Sequence, residues 1–304
     1  MTKAKKETTN PKRKASGAQV RRREGITDFH VHVQPWYMFK PEALQKMRQK
    51  RPDADLIARY GEDPLEFIDH IDRVGIDRVC VVNYVSPDIM GFTDDVNSWV
   101  SKFCSVSPAR LLAVGSVHPR LSPAPQDLMD KLCGDLGIRM IKIHPPHQLV
   151  FPNEYRGGLH ALGVIYRKAE EYRVPVMIHT GTSIFPGARN KYGDPMTCDD
   201  IGVDFPNLRV VLAHGGRPLW MNTCFFLVRR HPNFFMDISG IPPKSLLSYF
   251  PRLEEIADKV LYGTDWPGPG VPDMAENLAV FESLPLSEEA KQKMLVENAR
   301  KVLP

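Results

Sequence analysis

Two histidines one residue apart, His30 and His32, sit in the run ITDFHVHV (26–33). Side chains alternate along a strand, so Asp28, His30 and His32 are expected on one face, looking inward, and Phe29, Val31 and Val33 on the other, the side packed against helices. Two neutral imidazoles so spaced can chelate one metal ion from the same side. An HxH pair alone is a weak signal, but three other apolar runs end alike. His179 closes VPVMIHTG (174–181), His214 closes RVVLAHGG (209–216) and Asp265 closes KVLYGTDW (259–266). Leaving any one of these buried without a partner costs several kcal/mol, on the order of 2–7 for a neutral polar group. A shared divalent cation would satisfy them together, and three imidazoles with one carboxylate make a zinc-like set with room for a water. Separate satisfaction by backbone or water would require several coincidences at once.

The elements that carry these residues repeat. Further β-rich runs lie at 78–83, 111–118, 139–145 and 234–240, most of them near-continuous apolar stretches of the kind found in a sheet covered on both faces. Amphipathic helices are expected over 64–76, 94–106, 124–136, 159–173, 218–231, 243–258, 273–284 and 287–303, with a short one over 199–206. Ser287, followed by two Glu, is a suitable N-cap for the last long helix. Eight strands alternating with helices predict a single (β/α)8 TIM barrel in the α/β class, its site at the C-terminal mouth. An open doubly wound sheet usually brings a Gly-rich phosphate turn after its first strand. Here that strand runs into His-Val-Gln-Pro. Residues 34–63 and 182–198 are too long for simple connections and fall at the catalytic end.

Composition sets the boundaries. The 304 residues are 42% hydrophobic, ample for one core. Residues 1–23 hold nine Lys or Arg against one acid, Glu7, a balance of +8, so within the overall +4 the remainder is mildly acidic at −4. Residues 1–24 are accordingly expected to be a disordered basic tail, and 25–304 the barrel domain. PKRK and RRR could engage nucleic acid, but a solubilising extension is the simpler reading of motifs so short. No apolar stretch is long enough to span a membrane, and no secretory signal is evident. Five scattered cysteines without CxxC spacing fit reduced thiols in the cytoplasm. Absence of GxSxG and of a P-loop removes support for serine-hydrolase and nucleotide chemistry.

The ordered set DFHVHV, KIHPP, MIHTG, LAHGG and YGTDWPG resembles the amidohydrolase-related branch of the amidohydrolase superfamily. It is similar, over residues 25–304, to the aminocarboxymuconate-semialdehyde decarboxylase-like metal-dependent hydrolases and decarboxylases. The resemblance implies His30, His32, His179 and Asp265 as ligands of one divalent ion, zinc or alternatively manganese. It implies His214 as the acid or base that works with Asp265 beside a bound water, and it suggests a homodimer. In binuclear relatives, a modified lysine from the fourth strand bridges two metals. Here Lys142 lies one layer below His144, which favours one metal, with Lys142 as a buried cation; an ion pair with Asp28 or Asp265 is nearly as good a reading, and a second-metal bridge at Lys142 stays open.

A divalent ion lowers the pKa of its water from 15.7 to about 7 or polarises a carbonyl. With an ester, lactone or amide the result is hydrolysis; with an aromatic or enoic acid the same parts serve non-oxidative decarboxylation. The substrate is expected to be small and carboxylate-bearing or cyclic. His144, Arg217, Arg189 and Trp36 are candidate contacts, the arginines because the guanidinium fork matches a carboxylate. For each of Arg217, Arg189 and Trp36, a surface ion pair or lid packing is the competing reading. Asp237 is a candidate partner for a metal-bound histidine. His118 is expected in packing, and His70, His147, His160 and His231 in solvent.

Overall fold

The computed structural model describes residues 23–268 and 270–303; the basic stretch before Arg23 lies outside them. Eight parallel strands form one sheet in chain order. They are β1 (Thr27–Val31), β2 (Arg78–Val82), β3 (Leu111–Gly115), β4 (Met140–Ile143), β5 (Val176–His179), β6 (Val210–Ala213), β7 (Phe234–Asp237) and β8 (Val260–Leu261). The ends of the sheet meet where the chain after β8 runs beside β1. Phe29 N–H donates to the Tyr262 carbonyl, Asp265 N–H to His30, and His32 N–H to Trp266, at 2.7–2.9 Å. This seam closes the TIM barrel. It also ties His30, His32 and Asp265 into one backbone ladder.

Alternating side chains build two cores. Cys80, Val82, Val114, Met140, Met177 and Leu261 fill the barrel, whereas Val79, Val81, Ile141, Ile143, Ile178 and Leu212 face the helices. Ala299, Val302 and Leu303, at the end of the chain, join the inner cluster and close its floor. Strict alternation fails in β1. Asp28 pairs with Val79 but Val31 with Val81, three residues against two, which is a bulge. Phe29 therefore turns into the barrel, contrary to the expected helix-side position, while Val31 and Val33 pack outside. Asp28 is turned onto the β8 segment, accepting from Thr264 N–H at 2.9 Å and Thr264 Oγ1 at 2.7 Å.

Strands are shorter than their apolar runs, for a physical reason. His214 and Asp265 adopt φ of 65° and 67°, a left-handed conformation that ends an extended ladder. Most helices follow the expected spans, with Ser287 Oγ capping the Ala290 N–H; the span expected over 243–258 is instead a helix over Pro243–Tyr249 followed by a separate 3-10 segment over Leu253–Lys259. The last helix is interrupted by a π turn over Lys293–Glu297. Residues 34–63 are not irregular: they contain helices Pro41–Arg48 and Ala54–Glu62. Phe39, Ala43 and Met47 from this segment pack on Tyr84, Met90 and Phe92 as a separate apolar cluster over the mouth. No described helix is long and apolar enough to cross a membrane. All five cysteines are free.

Phe29→Ala, which empties part of the inner core, should cost about 3–5 kcal/mol in urea unfolding. Tyr37→Ala, at a side chain 77% exposed, should stay within about 0.5 kcal/mol. Equal small losses would contradict the inward placement of Phe29.

Candidate metal centre

The mouth gathers three of the four expected ligands. One ligand atom each of His30, His32 and Asp265 lies within 4.8 Å of the others. His30 Nε2 and His32 Nε2 are 3.2 Å apart, and Asp265 Oδ1 is 3.3 Å from His32 Nε2 and 3.8 Å from His30 Nε2. Hydrogen bonding on the far side of each ring sets its tautomer. His30 Nδ1 donates to Asp237 Oδ2 at 2.6 Å, as anticipated for Asp237, and His32 Nδ1 donates to the Val82 carbonyl at 2.9 Å. In the neutral rings both Nε2 atoms are then bare lone pairs facing each other, which repel unless a cation lies between them. His179, the fourth expected ligand, falls outside that close group. Its Nε2 is nevertheless buried without a hydrogen-bond partner among the described residues, and its ring lies 4.6 Å from that of His214 in the same pocket. The donor set fits a divalent ion.

His214 is buried with Nδ1 3.1 Å from the Ser239 carbonyl and 3.0 Å from Ser239 Oγ. Ser239 Oγ also lies 3.1 Å from His30 Nδ1 and donates to Asp237 Oδ2 at 2.8 Å, so one hydroxyl links both histidines to the carboxylate. Close packing makes this possible at Gly263, where a Cβ would stand 2.7 Å from Asp237 Oδ1 and 3.1 Å from Ser239 Cβ.

Burial governs the electrostatics. It pushes His30, His144, His179 and His214 well below the ordinary value of 6.5. The Arg217 charge adds to the effect at His214, so this residue stands as a neutral imidazole rather than one poised near 6.5. Burial alone would raise Asp265; the Arg217 guanidinium, 3.1 Å from its Oδ2, works against that, and the balance lies well below the usual carboxylate range. Burial pushes Asp28 up to about 7 against its Thr264 hydrogen bonds. It also lowers Lys142 and raises Asp237, despite their mutual attraction.

The remaining candidates divide. Lys142, His144 and Arg217 line the pocket with His32, His179, His214 and Asp265. Arg217 Nη2 sits 3.1 Å from Asp265 Oδ2, so part of its fork is used within the protein. Lys142 Nζ is buried with no hydrogen-bond partner and no ion pair among the described residues, contrary to the pairing with Asp28 or Asp265. Arg189 is exposed and away from the pocket lining; its backbone, not its guanidinium, anchors the loop by donating to Pro146. Trp36 packs edge-on against Phe39 beneath Arg48, as part of the lid rather than as a cover for substrate. His118 is buried, as expected, and His160 exposed.

His147 and His231 are buried rather than solvated, and His70 is half-buried among Tyr60, Phe67 and Trp266. His231 pairs with Asp199 at 2.7 Å. His147 stacks on His144, with ring centres 3.7 Å apart, and His144 in turn stacks on His179 at 3.9 Å. Tyr84, Ser183 and Ser239 were not anticipated. A signal existed for Ser239, which stands two residues beyond Asp237 on the same strand face; Tyr84 and Ser183 carry none.

A parallel eight-stranded barrel with a buried histidine–carboxylate cluster at its C-terminal end is the arrangement of metal-dependent TIM-barrel enzymes. The chain belongs to the amidohydrolase family, whose sequence pattern matches residues 27–304. Similar solved structures share the fold. An uncharacterised TIM-barrel protein of Bordetella bronchiseptica is 22% identical with a TM-score of 0.71, over 91% of this chain and 97% of that one. A dihydroxybenzoic acid decarboxylase of Polaromonas, with bound manganese and 2-nitroresorcinol, is 17% identical with a TM-score of 0.65, over 91% and 96%. A probable 2-pyrone-4,6-dicarboxylic acid hydrolase of Acinetobacter baumannii, with citric acid bound, is 15% identical with a TM-score of 0.64, over 91% and 98%. The search of curated protein sequences gives no significant match.

Asp237→Ala should weaken divalent-metal affinity by about 10–100-fold, measured by competition with a chromophoric chelator. Gly263→Ala, which crowds Asp237, should act in the same direction. Unchanged affinity in both would show that the Asp237–His30 bond does not serve a cation.

Proposed function

We propose that the protein is a divalent-metal-dependent hydrolase acting on a small carboxylate-bearing or cyclic substrate, with His30, His32, His179 and Asp265 holding the ion. The observation that carries this reading is the pair of bare Nε2 atoms, 3.2 Å apart, with the Asp265 carboxylate beside them. Ligand chemistry suits zinc, and the manganese of the Polaromonas structure makes that ion the alternative. Once bound, the ion supplies Lewis acidity for a water or a substrate carbonyl.

The protein groups do the rest. His214, its Nδ1 proton directed at Ser239, offers Nε2 as the base that takes a proton and later returns it to the leaving group. Asp265 stays ionised beside it. Arg217 and Lys142 give the pocket a cationic wall that favours an anionic substrate, and Met47, Met90 and Phe185 exclude water from the other side.

A second reading, non-oxidative decarboxylation, draws support from the decarboxylase among the similar structures. In it the same cations hold the departing carboxylate. The bond from carbon to carboxylate breaks, and a proton taken from solvent by His214 replaces the carbon dioxide.

His179→Ala and Asp265→Ala should each lose the ion on elemental analysis, and His214→Ala should keep it while turnover falls about 10²–10⁴-fold. Full metal content in both ligand variants would overturn the ligand set; loss of metal from His214→Ala would make that residue a ligand. A screen of lactones and aromatic acids separates the two reactions. Incorporation of solvent ¹⁸O into product supports hydrolysis, and carbon dioxide release without it supports decarboxylation.

A further inference from the structure

Beside the metal cluster runs a second hydrogen-bonded chain that neither reaction uses. Tyr84 Oη lies 3.1 Å from His147 Nδ1, and His147 Nε2 lies 2.7 Å from Ser183 Oγ. Tyr84 and Ser183 line the pocket together with His144 and Arg217, and His147 stands behind them, stacked on His144. Backbone contacts hold Ser183 in place. Its N–H donates to Asn190 Oδ1 at 2.8 Å, and the adjacent Thr182 N–H donates to the Arg217 carbonyl at 2.9 Å.

A serine 2.7 Å from an imidazole invites a nucleophilic reading, and the surroundings reject it. Burial pushes His147 down to about 3, and its other ring nitrogen faces the Tyr84 hydroxyl rather than a carboxylate that would stabilise an imidazolium. A neutral imidazole in this position has one N–H and one bare nitrogen, and the two ways of assigning them differ in consequence. If Nδ1 carried the proton, the buried Tyr84 hydroxyl would lose its sole hydrogen-bond acceptor among the described residues. If Nε2 carries it, Tyr84 donates to Nδ1 and His147 donates to Ser183, so the Tyr84 and His147 donors are both used. Ser183 Oγ, which also receives the Phe185 N–H at 3.3 Å, is then an acceptor twice over. Its own proton is left for the pocket.

We infer that Ser183 is a specificity-determining residue: with its polarity set by Tyr84 and His147, it donates a hydrogen bond to a second acceptor group, a carboxylate or carbonyl oxygen, on a substrate held at the metal centre. The inference rests on the pocket being the substrate site proposed above. It adds that the substrate carries two oxygen-bearing groups, one for the reacting end and one for Ser183. A dicarboxylate or an oxo-acid ring meets that description; a simple monocarboxylate does not.

Two measurements on the protein as purified test this. Long-range ¹H–¹⁵N correlation spectra of histidine-labelled protein should show His147 as the Nε2–H tautomer; the Nδ1–H tautomer would overturn the proposal. Calorimetric titration with benzene-1,3-dicarboxylate and with benzoate should show tighter binding of the dicarboxylate. Ser183→Ala should weaken the dicarboxylate about tenfold or more while leaving benzoate within about twofold, and Ser183→Thr should restore the difference. Equal losses for both ligands, no loss, or no preference in the unaltered protein would each contradict the assignment. The tautomer does not depend on a bound ion, whereas metal retention in His179→Ala does not depend on Ser183. Failure of this inference and failure of the metal reading are therefore separately visible.

Discussion

Two imidazole nitrogens with nowhere to send their lone pairs are the constraint on which the rest of the mouth depends. Asp237 and the Val82 carbonyl claim the Nδ1 protons of His30 and His32, and that leaves the two Nε2 atoms bare and opposed at 3.2 Å. Such an arrangement is unfavourable in a protein interior of low polarity unless a positive charge is shared between them. The Asp265 carboxylate, held ionised at the edge of the pair, is the counter-charge a divalent ion needs.

Much of the local irregularity lies around that point. The bulge in β1 lets Phe29 fill the barrel while His30 and His32 still converge above it. Left-handed backbone at His214 and Asp265 ends the strands and lifts both side chains into the mouth. Such conformations at non-glycine residues cost of order 1–3 kcal/mol each and persist where surrounding structure enforces them. Gly263 gives Asp237 the room to reach His30. Ser239 joins His30, His214 and Asp237 through one hydroxyl, so the histidine proposed as a ligand and the one proposed as the base are oriented by the same group.

The barrel and the convergence of strand-end residues were legible in the amino-acid sequence because both rest on short-range rules. Apolar runs of β-branched residues identify buried parallel strands, and ionisable residues at their C-terminal ends mark a site. The bulge was not legible, since a one-residue slip in register leaves no mark in the apolar pattern; hence Phe29 was expected on the wrong face. His147 looked solvated because it lies beyond its strand, in the short helix Pro145–Gln148, and its burial comes from His144 and Tyr84, residues 3 and 63 positions away. Arg189 and Trp36 have the right chemistry for substrate binding but are carried elsewhere by the loop and lid that hold them. Residue type announced the histidine–carboxylate cluster; only the packing of distant loops reveals the Tyr84–His147–Ser183 chain beside it.

Anomalous diffraction from crystals grown with manganese tests the central claim most directly. The account predicts one strong peak per chain at the manganese edge, within coordination distance of His30 Nε2, His32 Nε2 and an Asp265 oxygen. A peak located only elsewhere, or no peak with these three side chains unmoved, would contradict it.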